Sequence, residues 1–520
     1  MKSRKFTLTA VASTLFIGGM LLAGCSATVA TGTASDATVA ESTVASTVEL
    51  GAAATAVLAA NANSTTVNDD EWSMEGAVSI ALSGTSATAD GAGVSVDGTT
   101  VTITEAGTYV LSGTLDGQVV VNTDQEGVVA LVLDGAQISS STSAAIAVLN
   151  AEDVAVSLSG SNILSSTGAD EEANAALFSD ADLTISGDGS LEVTSGANDG
   201  ITSLDDLMVL SGEITVTAAD DGLRGKDSLT IEGGTVTVNA GGDALKSDNE
   251  EDATRGYVHI AGGTLTLVAG DDGVQAHTDL VITGGSTTID ATDDGLKAEV
   301  DLVVSGGATS VLNSYEGVES YYITIEGGSL DVHASDDGIN ATSGTSTTTD
   351  VGGIVEADDG ALVLITGGEL TVEAEGDGLD TNGSALITGG TTTVFGSSSD
   401  REGALDTNGT IVVDGGTVLA VGTTGMATSP DDTSAQGWLS AALDQTYVAG
   451  QSVQVLDADG TVVAEFTSVK SFQSVVLSAA ALVNGSTYTV TVDGQTAGTV
   501  TAGVAAASME GGMGGPPARG

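Results

Sequence analysis

The chain has 520 residues and carries 71 acidic side chains against 11 basic ones, a formal net charge of −60. That balance excludes nucleic-acid binding through a basic face, and the single Cys excludes a disulfide framework. Hydrophobic residues make up 41% but aromatic ones only 3%, so the apolar content is nearly all Ala, Val, Leu and Ile, which suits thin, stacked β layers rather than a disordered acidic chain.

Met1-Lys2-Ser3-Arg4-Lys5 is a basic leader, followed by an uncharged run from Phe6 to Leu22 and then Leu22-Ala23-Gly24-Cys25. This reads as a secretory signal ending in a lipobox (residues 1–25), with the Cys25 thiol accepting a diacylglycerol. Residues 26–70 are Ala, Thr, Ser and Val with scattered acids and no sustained period, which predicts a tether with at most a weak helix within 44–60. Anchor and tether together predict a secreted protein held by lipid at the cell surface or outer envelope. No later run is long and apolar enough to span a bilayer.

From residue 198 a repeat sets in. Asp199-Gly200, Asp221-Gly222, Asp243-Ala244, Asp272-Gly273, Asp294-Gly295, Glu316-Gly317, Asp337-Gly338, Asp377-Gly378 and Glu402-Gly403 follow one another at steps of 22, 22, 29, 22, 22, 21, 40 and 25 residues. A Gly-Gly pair at 233, 262, 284, 306, 327, 367, 389 and 415 moves in phase with them. Within one unit, Leu223 follows the acidic turn, and Leu229-Thr230-Ile231 and Val236-Thr237-Val238 alternate apolar and polar on either side of Gly233-Gly234. That is three short strands per turn of 22 residues, too few to bury a sheet alone, so units must stack strand upon like strand. The predicted fold is all-β: a right-handed parallel β-helix over 71–428, its first turns irregular over 71–180. A small antiparallel β domain over 429–503 and a Gly-rich tail over 504–520 follow.

Stacking has an electrostatic consequence. Residues one turn apart lie roughly 4.8 Å apart, so the acids form a column. At an effective dielectric near 20, two such charges repel by about 3 kcal/mol before screening. Arg224, Lys226, Lys246 and Lys297 are too few to neutralise it, so either several carboxylates are protonated or divalent cations sit among them. Oxygen-only ligands favour calcium, with Asp199, Asp220, Asp221, Asp243, Asp271, Asp272, Asp293, Asp294, Glu316, Asp336, Asp337 and Asp377 as candidates. Zinc is disfavoured, since only His259, His277 and His333 occur. The alternative is that these acids are solvated turn-formers.

The longer steps place insertions around 248–252 and 342–359, walls beside a carboxylate-lined groove. Tyr257, Tyr315, Tyr321 and Tyr322 are candidate rings for sugar stacking, with Lys297 as a further ligand contact.

Ala175-Ala176-Leu177-Phe178-Ser179, Leu183-Thr184-Ile185-Ser186-Gly187, Asp221-Gly222-Leu223-Arg224-Gly225-Lys226-Asp227, Ser314-Tyr315-Glu316-Gly317-Val318-Glu319 and Asp336-Asp337-Gly338-Ile339-Asn340-Ala341 resemble the secreted carbohydrate-binding β-helix family of bacteria. The likeness covers about residues 75–500. It implies a fold like that of a calcium-dependent polysaccharide lyase and binding of cellulose or acidic glycans such as polygalacturonate. A non-catalytic polysaccharide binder is therefore expected. The alternatives are a lyase, with Arg224 beside Asp220 and Asp221 as the candidate base, and a structural or adhesive stalk.

Overall fold

The computed structural model describes residues 51–168, 170, 172–344 and 358–506. Each regular coil contributes three strands, and like strands of successive coils pair in parallel. On the first face, Leu223–Gly225, Leu245–Ser247, Val274–Ala276, Leu296–Ala298, Val318–Ser320, Ile339–Ala341 and Leu379–Thr381 stack so that Leu223, Leu245, Val274, Leu296, Val318, Ile339 and Leu379 lie over one another. Their first and third side chains point inward and the middle one outward.

The second face carries four-residue strands such as Ser228–Ile231, Tyr257–Ile260, Asp279–Ile282 and Asp301–Val304, and the third carries six-residue strands such as Thr235–Ala240 and Thr264–Ala269. On the third face alternate residues are exposed and buried, so Val236, Val238, Leu265 and Leu267 enter the core while Thr235, Thr237, Thr264 and Thr266 face water. The result is the parallel β-helix expected from the repeat, with one continuous core of Leu, Ile, Val and Ala.

Two glycine positions explain the phase markers. The second residue of each Gly-Gly pair is left-handed, with φ +87° at Gly234 and +78° at Gly307. A Cβ on Gly307 would also come within 2.7 Å of the Gly284 carbonyl below, so both conformation and stacking demand Gly. Gly222, after the acid Asp221, answers to space instead: a Cβ there would stand 2.3 Å from Val238 and 2.5 Å from the Ala244 carbonyl oxygen.

The structure corrects the tether. Residues 51–73 are a strap that packs lengthwise over the second face, so any tether ends at about residue 50. The helix Ala54–Ala60 buries Ala54 and Val57 against Val281 and Val303. Beyond it the strap crosses coil after coil against the direction in which the coils progress. The Thr65 N–H donates to Asp206 Oδ2 at 2.8 Å, that of Val67 to Thr184 Oγ1 at 3.0 Å, and Val67 packs on Ala130 and Ala155.

At the other end, Phe472–Ser478 pairs antiparallel with Thr417–Gly422, the last strand of the third face, and Trp438–Tyr447 pairs with Phe472–Ser478 in turn. A four-stranded antiparallel sheet of Ser452–Leu456, Val462–Thr467, Thr487–Val492 and Gln495–Thr501 completes the small C-terminal domain. Phe395, Leu419 and Val421 share a core with it, so the solenoid's final edge is covered. No described helix is long and apolar enough to cross a membrane. Cys25 and its lipobox lie outside the described residues, as does the tail from 507.

Candidate functional site

The acids form a ladder along the corner that leads into the first face. Asp199, Asp221, Asp243, Asp272 and Asp294 make its inner row and are all buried. In three of them Oδ1 is engaged by the next coil: the backbone N–H of Asp243 donates to Asp221 Oδ1, that of Asp272 to Asp243 Oδ1 and that of Asp294 to Asp272 Oδ1, each at 2.9 Å. Asp221, Asp243 and Asp272 thus each staple their coil to the next and turn the second oxygen to the first face. Asp220, Asp271 and Asp293 form a more exposed outer row.

Carboxylate oxygens of Asp199, Asp220 and Asp221 lie within 4.8 Å of one another, as do those of Asp243, Asp271 and Asp272, of Asp272, Asp293 and Asp294, and of Asp294, Glu316 and Glu319. Nearly all the candidate ligands are therefore brought together, and Glu319 joins them. Asp336, Asp337 and Asp377 continue the ladder without entering such a triad among the described residues.

The outward residues of the first-face strands, Arg224, Lys246, Gln275, Lys297, Glu319 and Asn340, stand beside the inner row. Lys246 Nζ is 2.6 Å from Asp243 and 3.2 Å from Asp221. Lys297 Nζ is 2.6 Å from Asp294, 3.5 Å from Glu319 and 3.8 Å from Asp272. Three basic side chains thus serve the first half of the ladder more fully than their number suggested. Lys297 is held by these acids rather than free for a ligand. Arg224 departs from its expected partners too: Nε and Nη2 bind Asp248 at 3.0 and 2.7 Å, and Nη1 stands 3.7 Å from Asp199.

The second half differs. Burial pushes Glu316 up to about 8, Asp337 to about 6 and Asp377 to about 7, and among the described residues no basic side chain pairs with any of them. Asn340 Nδ2 donates to Glu316 at 2.8 Å, while the buried Asn340 Oδ1 has no hydrogen-bond partner. In the first half burial also raises Asp221 to about 6 and Asp272 to about 7, against the pull of Lys246 and Lys297. Burial lowers the two lysines, but hydrogen bonds to Asp243 and Asp294 and the surrounding charge outweigh it and hold both ammonium groups well above their usual range.

A groove of about 340 Å³ opens beside Lys246, Gln275 and Lys297, with Asp248 and Glu250 of the insertion as one wall, as expected. His277 and Glu299 line it as well, 3.3 Å apart. Of the expected rings, Tyr315 is exposed on the ladder, its hydroxyl hydrogen-bonded to Asp336. Tyr321 and Tyr322 are half-buried, with ring centres 4.4 Å apart, and the Tyr321 hydroxyl donates to the Asp359 carbonyl. Tyr257 is a correction: it is 5% exposed, and its hydroxyl donates to the Ala62 carbonyl under the strap, out of reach of any glycan.

Two features escaped the sequence reading. The outward column had a usable signal, since each member lies two residues after the Gly or Ala that follows the acid. The triad Asp182, Asp205 and Asp206 at the next corner had none, because it falls outside the Asp-Gly register.

A parallel β-helix with a carboxylate ladder along one corner and a groove beside it defines the class as an acidic solenoid. The chain belongs to the family of carbohydrate-binding domain-containing proteins, whose sequence profile matches residues 97–360. A carbohydrate-binding domain-containing protein of Acetivibrio thermocellus is 38% identical over 136 residues, 24% of this chain and 48% of that protein, so the chain spans about half the relative's length. Among solved structures it is similar to the polysaccharide lyase-like protein from C. thermocellum, described as a gadolinium derivative. That likeness has a TM-score of 0.43 and 33% identity, over 45% of this chain and 99% of the other.

Proposed function

We propose that this protein is a lipid-anchored, non-catalytic polysaccharide binder that grips acidic glycans such as polygalacturonate, or cellulose, through calcium held on the ladder. The observation that carries the reading is the second half of the ladder, where Glu316, Asp337 and Asp377 are stacked, raised by burial and without a basic partner among the described residues. The donor set fits a hard cation: carboxylate oxygens, the unpartnered Asn340 Oδ1 and the triads of the first half, with no sulfur or imidazole among them. A polyanionic protein and a polyanionic glycan repel, and a divalent ion shared between them reverses the sign. Membership of a carbohydrate-binding family supports the sugar class.

A lyase needs a base that can give up its proton near neutral pH. Lys246 and Lys297 are held more firmly protonated than usual, and Arg224 is engaged by Asp248 and Asp199, so the basic side chains beside the ladder favour binding over elimination. The test is retention on polygalacturonate and on cellulose, with calcium and with excess chelator. Retention of polygalacturonate only with calcium, without unsaturated products, is expected. Undiminished retention in chelator, or release of unsaturated sugar, would overturn the reading.

A further inference from the structure

We propose that the 51–73 strap regulates the ladder through the 248–256 insertion, with Arg224 as the moving part; this rests on the ladder being a cation site. The insertion touches both. At its start, Asp248 holds Arg224 by two hydrogen bonds and keeps the guanidinium 3.7 Å from Asp199, a member of the first triad. At its end it clasps the strap: the Ala62 N–H donates to the Thr254 carbonyl at 2.8 Å and the Tyr257 hydroxyl, just beyond the loop, donates to the Ala62 carbonyl at 2.9 Å. Arg255 neutralises Asp205, at 3.3 Å, and Asp227, beside the Asp206 carboxylate that receives the strap's Thr65 N–H.

Between these ends the loop is one stiff piece. Buried Asn249 donates to Asp227 and accepts the N–H groups of Glu251 and Asp252 at 2.9 and 3.0 Å, so Asp227 ties the Asp248 end to the Arg255 end. With the strap seated, Asp248 takes two of the guanidinium nitrogens and leaves Arg224 only its 3.7 Å approach to Asp199, so a cation at Asp199, Asp220 and Asp221 meets a weakened competitor, with Lys246 beside Asp221. With the strap lifted, Thr254 and Tyr257 lose Ala62, the loop relaxes, and Arg224 is free to swing fully onto Asp199 and Asp221, where it competes with the ion. Coupling of this kind is reciprocal, so calcium on the ladder also favours the seated strap.

The test uses the full chain, calcium alone, calorimetric titration, and amide hydrogen exchange at Ala62 and Thr65. Tyr257→Phe and Arg255→Ala should speed exchange at both amides and weaken calcium binding about fivefold or more, and Arg255→Lys should restore much of both. Calcium should slow exchange at Ala62 in the wild type. In the Tyr257→Phe/Arg224→Gln double variant the loss of affinity should disappear, because the competing guanidinium is gone. Faster exchange in Tyr257→Phe with unchanged calcium affinity would overturn the coupling and leave the cation reading intact. Should the wild type bind no calcium, the cation reading falls, and the calcium-free arm decides the link: Arg224→Gln must speed exchange at Ala62, and an unchanged rate overturns it.

Discussion

Asp221 and Asp243 share the ammonium of Lys246, whereas Asp337 and Asp377, stacked in the same way, have no basic partner among the described residues. The backbone is alike in both halves: the Asp243 N–H donates to Asp221 and the Asp377 N–H to Asp337, at 2.9 and 2.6 Å. What differs is one outward side chain three residues after the acid, Lys246 and Lys297 in the first half and Asn340 in the second. A carboxylate ladder can thus carry basic partners of its own or lack them, and both arrangements occur among the described residues of this chain.

Exchanging those side chains is the sharpest way to break the comparison. Lys246→Asn strips two buried carboxylates of their partner and should cost the ion-free protein about 2 kcal/mol, less than a fully buried pair would because the ammonium is 23% exposed. Calcium should recover most of that loss in a thermal melt. Asn340→Lys should do the reverse, raising ion-free stability by about 1 kcal/mol and shrinking the gain on adding calcium. An Asn340→Lys protein that melts as the wild type does, with and without calcium, would mean that the second half has no unmet charge.

The pH dependence follows from the raised groups. Glu316, Asp337 and Asp377 bind protons more tightly folded than unfolded, so the unfolded chain holds fewer protons above about pH 4, and ion-free stability falls as pH rises through the folded values of about 8, 6 and 7. The melting temperature in chelator should therefore drop by a few degrees between pH 5 and 8, and calcium should flatten the curve. The smallest effect concerns Tyr315, which is 48% exposed: Tyr315→Ala should change stability by under about 0.5 kcal/mol yet weaken glycan retention several-fold.

The coil was legible because its two markers answer to fixed constraints, a left-handed backbone at Gly307 and a crowded corner that admits only a small residue at Gly222. The ladder was legible because parallel stacking turns a sequence period into a spatial neighbour. Its neutralisation was not: the sequence shows Lys246 and Lys297, but only the register of the first face puts each ammonium between two carboxylates. The strap was hidden for a different reason. Its contacts fall on widely separated coils, at Asp206, Thr184 and Val281 among others, so no local period betrays them. Tyr257 was misread on the same account, since the strap covers the ring.

Because one oxygen of Asp221, Asp243 and Asp272 is committed to the neighbouring coil, each of these residues can extend only a single donor atom outward. Calcium surrounds itself with roughly six to eight oxygens, so an ion on such a triad would keep much of its sphere for water or for sugar hydroxyl and carboxylate groups. A rail of half-dressed ions would hold a glycan chain at many weak points at once, and would let it slide.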